Sequence, residues 1–305
     1  MKRKMTLVLL KFLFIIVVTN EDYQKTESQI FFINKINDTI IYPNKQEEFE
    51  VIIALVVCGD RVKQALVAIK SAIIFQKSSK LRFIVLCELH LQNELSNDLE
   101  TMKYMSHHSF TYQILNVSFP KENEKTWKNL FEPCSAQRLF LPNILINESK
   151  VLYIDTDVLF LNEISDIWSH WNSMNSSHIC AMAPDEATKH KFYNLSCKYN
   201  YGYGACSFMM CKDAEQDGVS LLHGFGRSFT LNKVPPFRKL YLAFSNYEIG
   251  TNVHENLSKP LESALKKTIN STCGSAWKAL MKRMNILFPK RENYIQKITE
   301  IRIAQ

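Results

Sequence analysis

Two aspartates, Asp155 and Asp157, follow an apolar run in the segment VLYIDTDVLFLN (151–162). Side chains at alternate positions of a strand point to the same face, so both carboxylates are expected to project from one face at the end of a buried strand. Two converging carboxylates can bind one hard divalent cation, which in turn can neutralise a diphosphate. Many surface loops carry Asp-x-Asp by chance, but the apolar flank favours a rigid metal site in an enzyme that handles a nucleotide-linked group.

A histidine at the end of another short apolar stretch, VSLLHG (219–224), is the second candidate ligand. The imidazole of His223 would complete a set of two carboxylates and one ring nitrogen, which suits a transition metal such as manganese. Gly224 and Gly226 would let backbone amides approach phosphate oxygens, and Lys233 could contact the same diphosphate as a point charge. A lone histidine is more often structural, but its combination with Asp-x-Asp favours a ligand.

Strands and helices alternate along the first half of the chain, which predicts parallel β-α-β units and an α/β fold. In an open sheet of this kind, ligands bind at the carboxyl ends of the strands. Asp155 and Asp157 lie at such an end, as does the segment Cys58-Gly59-Asp60 after the first strand. The predicted strands are 51–59, 81–87, 110–117 and 151–154, and the predicted helices are 61–76, a polar helix that ends near 105, and 135–145, broken or ended at Pro142.

The pattern changes after Pro184. A short helix (165–171) and a strand (179–183) are predicted before it, and only 207–211 and 219–224 resemble strands after it. Helical spacing returns after Pro235-Pro236 and continues to the end. The other histidines lie in polar segments and are interpreted as surface residues: His90, His107, His108, His170, His178, His190 and His254.

Composition bounds the class of protein. A hydrophobic fraction of 46% and a charged fraction of 22% in 305 residues indicate a globular protein with one large core or two modest domains. The formal net charge of +7 arises in residues 259–305, which hold ten Lys/Arg and three Asp/Glu. No nucleic-acid-binding module accompanies them, so no nucleic-acid partner is expected. The segment is expected to be a basic helical C-terminal tail with a solvated face, or alternatively one that contacts a membrane surface.

The N-terminus has the pattern of a secretory signal. Three basic residues precede an apolar stretch from Met5 to Val18, so residues 1–19 are predicted to be a signal anchor or a cleaved signal peptide, and residues 20–49 a stem or linker. This predicts a single-pass type II membrane protein of the secretory pathway, in the Golgi or endoplasmic reticulum lumen. Seven N-x-[ST] sequons support that location: Asn37, Asn116, Asn147, Asn175, Asn194, Asn256 and Asn270.

Eight cysteines agree with an oxidising compartment. Cys58 and Cys87 lie in apolar strands and are expected to be buried thiols. Four others lie in turn-rich or terminal sequence and are better disulfide candidates: Cys197, Cys206, Cys211 and Cys273. Their pairing does not follow from spacing. The chain has no C-x-x-C pair, which argues against a structural zinc site.

These motifs together resemble glycosyltransferase family 8, the retaining enzymes of the GT-A type, and within it the glucoside xylosyltransferases. The resemblance rests on Asp155-Thr156-Asp157, on His223-Gly224, and on six longer segments. Those are VVCGDRVKQALVAIKSAIIF (56–75), EPCSAQRLFLP (132–142), LYIDTDVLFLNEISDIW (152–168), CAMAPDE (180–186), HGFGRSFTLNKVPPFRKLY (223–241) and KPLESALKKTINSTCG (259–274). It implies a GT-A-like, Rossmann-type, mostly parallel sheet flanked by helices over residues 50–258, followed by the helical tail 259–305.

The resemblance also implies an activity: transfer of xylose from UDP-xylose to glucose O-linked on EGF-like repeats of secreted or cell-surface proteins such as Notch, in α1,3 linkage with retention. The implied ligands of Mn²⁺ are Asp155, Asp157 and His223. The implied donor contacts are Val57, Cys58, Gly59 and Asp60 at the uracil and ribose, Gly224 and Lys233 at the diphosphate, and Arg138 of the C-x-x-Q-R run nearby. No catalytic nucleophile is assigned.

The chain departs from the family at one place. Family members carry an N-S-G-V strand and a W-G-D-Q-D segment before the last histidine, and this chain has neither. Its match stops near Tyr193-Asn194 and resumes near Cys197, which indicates an internal deletion of several dozen residues. A family member that binds UDP and metal, or EGF-like repeats, without transfer is therefore the second hypothesis. A phosphohydrolase of the Asp-x-Asp class is the third, and it fits poorly because three β-α units precede the motif.

Overall fold

A computed structural model of the chain describes residues 49–289 except 78, 107–109, 131–133, 176–177, 179, 184–191 and 208–209. The predicted N-terminal signal segment (1–19) and almost all of the predicted stem (20–49) lie outside the described residues, as do residues 290–305 of the predicted tail.

The described part of the chain contradicts the prediction of a single-pass type II membrane protein. Within it, no helix is both long and apolar enough to cross a bilayer. The longest helix there has 14 residues, whereas a span needs about 20.

A four-stranded parallel sheet forms the centre of the fold, which confirms the predicted α/β class. Its strands are β1 (Glu50–Val57), β2 (Lys80–Cys87), β3 (Phe110–Asn116) and β4 (Leu152–Tyr153), in the order β3-β2-β1-β4. The connections contain helices α1 (Val62–Ile74) and α2 (Gln92–Met105). The central strand β1 is a nearly continuous apolar run because both faces of the sheet are covered there, whereas β3 at the edge of the sheet alternates between apolar and polar residues.

The two faces of β1 join two different apolar clusters. Val51, Ile53 and Leu55 pack with the helices that include α1 and α2. Ile52 and Ala54 pack on the other side, against the segment around Leu141 to Tyr153. The first cluster is much the larger, and the side chains of β1 within it are fully buried.

The connection between β3 and β4 differs from the predicted single helix over 135–145. It holds α3 (Glu124–Lys128), a 3₁₀ helix (Ser135–Phe140), and one further turn, α4 (Leu141–Ile144). Pro142 lies in the first turn of α4 and does not end a helix, because a residue there needs no backbone N–H donor.

A second layer lies beyond β4. Strand β5 (Val158–Phe160) is followed by α5 (Ile164–Ser169), and two short strands, β6 (Cys180–Met182) and β7 (Phe192–Asn194), pair in parallel. The predicted strand at 207–211 is wrong, because helix α6 (Tyr203–Ser207) occupies its start and α7 (Lys212–Asp217) begins just after it. Strand β8 (Leu221–His223) pairs antiparallel with β5.

The C-terminal part of the described chain is helical, as predicted after Pro235-Pro236. It comprises α8 (Pro235–Asn246), a π-helical turn (His254–Ser258), α9 (Lys259–Lys266) and α10 (Trp277–Leu287). One face of each α-helix enters the large apolar cluster: Phe237, Leu240 and Phe244 from α8, Leu261 and Leu265 from α9, and Leu280, Met281 and Met284 from α10. Described basic residues of the predicted tail, such as Lys259, Lys266 and Lys278, therefore belong to helices that also complete the core.

Three disulfides connect six of the eight cysteines, all of which lie in the described part of the chain. The four disulfide candidates pair as Cys197–Cys211 and Cys206–Cys273, which confirms them. Cys87 is a buried free thiol, as predicted. The prediction for Cys58 is wrong: it pairs with Cys134, because the end of β1 and the residue before the 3₁₀ helix place their Cα atoms 6.3 Å apart.

We expect the Cys206–Cys273 disulfide to stabilise the docking of the C-terminal helices. It closes a separation of 67 residues, so its loss frees a long loop in the unfolded chain. Cys206→Ser with Cys273→Ser should lower the free energy of unfolding by about 2–5 kcal/mol, measured by denaturant titration. Cys180→Ala, which removes a buried thiol that forms no disulfide, is the matched control. An equal loss in both variants would contradict the cross-linking role.

Candidate functional site

Asp155 and Asp157 lie in the turn that joins β4 to β5. The strand β4 ends at Tyr153, so the predicted alternation of side chains along a strand does not align the two aspartates. The turn nevertheless brings the two carboxylates together. One carboxylate oxygen of each and a ring nitrogen of His223 all lie within 4.8 Å of one another.

The antiparallel ladder between β5 and β8 brings His223 to the aspartates. Val158 pairs with His223 in its register, and the next backbone contact beyond the strands is a 2.7 Å hydrogen bond from the Gly224 N–H to the Asp157 carbonyl oxygen. The imidazole Nε2 of His223 then lies 3.6 Å from Oδ1 of Asp157. Two segments that are distant in sequence thus form one cluster through a short ladder.

Asp157 and His223 stabilise each other's charged form. Burial opposes the charge on both side chains, but their electrostatic attraction across 3.6 Å outweighs it. The pKa of Asp157 is therefore lowered, and the pKa of His223 is raised. The positive charge of Arg61, at the start of α1, also lowers the pKa of Asp157. Sequence reasoning did not identify Arg61.

Asp155 is held by two neighbours, Arg138 and Tyr153. Nη2 of Arg138 lies 3.0 Å from Oδ1 of Asp155, and the Tyr153 hydroxyl donates to the same oxygen at 2.9 Å. The Arg138 guanidinium carbon also lies 5.3 Å from the Tyr153 ring centroid. Burial opposes the charge of Arg138, but the attraction of Asp155 outweighs it and raises the pKa of the guanidinium. The structure brings Arg138 to the cluster, and its predicted place near the donor stays a prediction.

Tyr153 is a site residue that the sequence analysis missed. Burial raises the pKa of its hydroxyl, so the group stays protonated and donates to Asp155. The signal for it was a tyrosine inside a fully apolar strand, because a buried hydroxyl needs a polar partner.

The predicted nucleoside segment, Val57 to Asp60, lies at the carboxyl end of β1 beside Arg61. The side chain of Val57 is fully buried, and Cys58 is held in its disulfide. Gly59 adopts a positive φ of 61°, and its N–H donates to Oε2 of Glu88 at 2.9 Å. Gly59 and Asp60 are exposed, and 98% of the Asp60 side chain is accessible. A nucleoside contact by this segment stays a prediction.

The amide of Gly224 has a structural role in the cluster. That N–H already donates to Asp157, so it joins the two halves of the cluster. A Cβ at Gly224 would lie 2.6 Å from the ring of Phe229, which explains why no side chain fits. Gly226 has a positive φ of 67° and open space around it, and Lys233 is exposed. A diphosphate contact by Gly224 and Lys233 stays a prediction.

Two of the histidines interpreted as surface residues have structural roles. The side chain of His254 is only 15% exposed, and its Nδ1 lies 3.1 Å from the carbonyl oxygen of Phe288, so its surface interpretation is wrong.

The second of these histidines, His170, belongs to a polar network. His170 is half-buried, with Nε2 3.0 Å from the Tyr199 hydroxyl, and that hydroxyl donates to Asp166 at 2.9 Å. Asp166 also accepts hydrogen bonds from Asn162 and Ser220. The network links α5 to the segment before β8, so the surface interpretation of His170 is wrong.

Residues 15–211 match the family model described as glycosyl transferase family 8, and this match covers more than half of the chain. The chain belongs to glycosyltransferase family 8. The parallel sheet with its flanking helices is accordingly the GT-A-like architecture that the sequence predicted.

Characterised members of the family give a more specific comparison. Glucoside xylosyltransferase 1 of Gallus gallus is 28% identical over 311 residues, covering 76% of this chain and 71% of that protein. The protein of the same name from Danio rerio is 29% identical, covering 78% of this chain and 79% of that protein. Both matches support a xylosyltransferase role.

Two solved structures match part of the chain at low sequence identity. The apo form of mouse xyloside xylosyltransferase 1 matches with a TM-score of 0.43 and 10% identity, over 58% of this chain and 98% of that chain. The glycosyltransferase GlyE of Streptococcus pneumoniae TIGR4 matches with a TM-score of 0.45 and 12% identity, over 73% of this chain and 64% of that chain.

The sequence comparison agrees with the predicted internal deletion. The alignment to the Gallus gallus protein extends over 311 positions but uses 76% of the 305 residues of this chain, which is about 232. About 79 positions of the relative therefore have no counterpart here. This number fits a missing block of several dozen residues.

We expect Gly224→Ala to disrupt the metal cluster. The new methyl group would overlap the Phe229 ring and push apart the backbone that connects His223 to Asp157. The free energy of unfolding should fall by about 1–3 kcal/mol, the usual cost of overpacking, as measured by denaturant titration. Gly202→Ala is the matched control, because its Cβ would meet only the His223 carbonyl oxygen at 3.9 Å. Equal stability of the two variants would contradict this explanation.

Proposed function

We propose that this chain is a UDP-xylose-dependent retaining xylosyltransferase that adds xylose to glucose O-linked on EGF-like repeats. The observation that carries the proposal is the cluster of Asp155, Asp157 and His223, whose ligand atoms lie within 4.8 Å of one another. Family membership and the names of the related enzymes support the transfer reaction and the sugar.

The donor atoms of the cluster fit a divalent metal such as Mn²⁺. Two carboxylate oxygens and one imidazole nitrogen form a mixed oxygen and nitrogen set, which manganese accepts. Both carboxylates are partly exposed, Asp155 to 19% and Asp157 to 21%. Three protein ligands would leave positions of an octahedral ion for diphosphate oxygens.

The residues around the cluster have separate tasks in this proposal. A bound metal would supply positive charge that stabilises the departing UDP. Arg138 and Tyr153 orient the carboxylate of Asp155, while the amide of Gly224 fixes the backbone of Asp157. Arg138 and Arg61 add fixed positive charge beside the position where a diphosphate would lie.

A catalytically inactive family member that binds UDP and metal, or EGF-like repeats, is the second candidate. The observation that favours it is the deletion, because the N-S-G-V and W-G-D-Q-D segments are missing. In the family those segments build the sugar and acceptor pocket. The metal cluster does not depend on them, so nucleotide binding could persist without transfer.

We expect Asp157→Asn to abolish Mn²⁺-dependent UDP binding. In asparagine an NH₂ group replaces one carboxylate oxygen, so the side chain is neutral, a poorer ligand, and cannot balance the charge of the cation. Calorimetric titration of UDP, with and without Mn²⁺, measures the effect. Asp98→Asn, at an exposed carboxylate on α2, should bind as the wild type does. Unchanged binding by Asp157→Asn would show that the motif is not a metal site.

We expect the full-length chain to add one pentose to an O-glucosylated EGF-like repeat when UDP-xylose and Mn²⁺ are present, and to add none when the metal is chelated. Mass spectrometry of the acceptor detects the product. Metal-dependent UDP binding by a folded protein that transfers no pentose would decide for the inactive family member.

A further inference from the structure

The imidazole of His223 is contacted at both of its nitrogens. Nε2 faces Oδ1 of Asp157 at 3.6 Å, on the side of the metal cluster. Nδ1 faces away from the cluster and lies 3.2 Å from Oδ1 of Asn200. The ring itself is buried, so the groups at its two nitrogens determine where its proton resides.

A backbone carbonyl fixes the orientation of the Asn200 amide. Nδ2 of Asn200 donates to the carbonyl oxygen of Ala183 at 3.2 Å. A rotated amide would place Oδ1 against that oxygen, where two acceptors would repel. Oδ1 must therefore point at His223, and an acceptor there requires a proton on Nδ1. The neutral ring then keeps a free lone pair on Nε2, which is the nitrogen that faces the metal cluster.

The backbone around Asn200 is held firmly beside β8. The N–H of Tyr201 donates to the Leu221 carbonyl at 3.0 Å, and the N–H of His223 donates to the Tyr201 carbonyl at 3.1 Å. The Asn200 N–H itself donates to the Cys197 carbonyl at 3.1 Å. Asn200 and His223 are thus parts of one rigid backbone arrangement.

We propose that Asn200 is a positioning residue for the metal ligand His223. The Ala183 carbonyl oxygen orients the Asn200 amide, and the amide oxygen accepts a hydrogen bond from Nδ1–H of His223. Asn200 thereby selects the imidazole tautomer and the ring orientation that present Nε2 to a divalent cation. Partners behind a ligating histidine commonly have this effect on affinity. The inference rests on the metal site of the proposed function, and it adds a residue from the segment that follows the deletion.

Two substitutions separate positioning from a purely structural role. Asn200→Leu has a similar size but lacks the acceptor, so the dissociation constant for Mn²⁺ should rise about 10- to 100-fold. Asn200→Asp keeps an oxygen toward Nδ1 and loses the hydrogen bond to Ala183, so its dissociation constant should rise less than that of Asn200→Leu, by under about 10-fold. Titration of the full-length protein, with free Mn²⁺ measured by electron paramagnetic resonance, gives both values without an activity assay.

A spectroscopic measurement and a control variant complete the test. Electron spin echo modulation from an imidazole nitrogen should be present with bound Mn²⁺ in the wild type and in Asn200→Asp, and weakened in Asn200→Leu. Asn162→Leu is the matched control, because Asn162 is a buried asparagine that donates to Asp166 at the other end of the β5–β8 ladder. It should lower the melting temperature without changing Mn²⁺ affinity. If Asn200→Leu does not fold, Asn200→Ala takes its place.

The outcomes distinguish this inference from the function on which it rests. Equal Mn²⁺ affinity in the wild type and Asn200→Leu would overturn the role of Asn200 and leave the metal site intact. Equal weakening of Mn²⁺ affinity in Asn200→Leu and Asn200→Asp would also overturn the positioning role. Both variants lose the hydrogen bond to the Ala183 carbonyl oxygen, so an equal effect would show that Asn200 acts only through that structural bond. Failure of the wild type to bind Mn²⁺ would overturn the metal site itself, and the role of Asn200 with it.

Discussion

The antiparallel pairing of β5 with β8 is the constraint on which the candidate site depends. Its three residue pairs place His223 opposite Val158, and the hydrogen bond from Gly224 to Asp157 extends the contact into the turn that holds the aspartates. The ladder bonds are directional, so they fix the relative position of the ligand side chains more closely than apolar packing alone. Serine and asparagine side chains around Asp166 hold the other end of the same pair of strands.

The charges at the cluster balance in the described protein. Two carboxylates, Asp155 and Asp157, face the guanidinium of Arg138 and the imidazole of His223. Burying two carboxylates side by side without positive partners would be costly. A divalent cation at this cluster would be held by the two carboxylates and by the lone pair of Nε2 on His223, and it would add positive charge there. A neighbour that keeps the imidazole proton on Nδ1 leaves that lone pair free for the cation.

Much of the fold and site followed from the sequence, because their signals are local. Apolar runs such as 51–57 predict buried parallel strands, and a pair of aspartates next to such a run predicts a cation site. Other features depend on contacts between distant segments. The Cys58–Cys134 disulfide needs the path of the connection between β3 and β4, which spacing does not specify. The contact of Asn200 with His223 needs the register of residues beside β8, and no sequence pattern encodes it.

The predicted deletion and the cluster of Asp155, Asp157 and His223 lie in different parts of the chain. This separation explains how the cluster can persist in a chain that lacks the missing segment. The cluster is built from the ends of β4 and β8, the β4–β5 turn and the 3₁₀ helix that carries Arg138, all of which are present. The predicted break in the match to the family lies between Tyr193 and Cys197, next to β7, and its position stays a prediction. On one side of that junction β7 pairs with β6, and on the other side Cys197 forms a disulfide with Cys211. In the proposed function, metal and nucleotide binding would therefore require only elements that this chain retains, whereas transfer would also require an acceptor surface built from other residues.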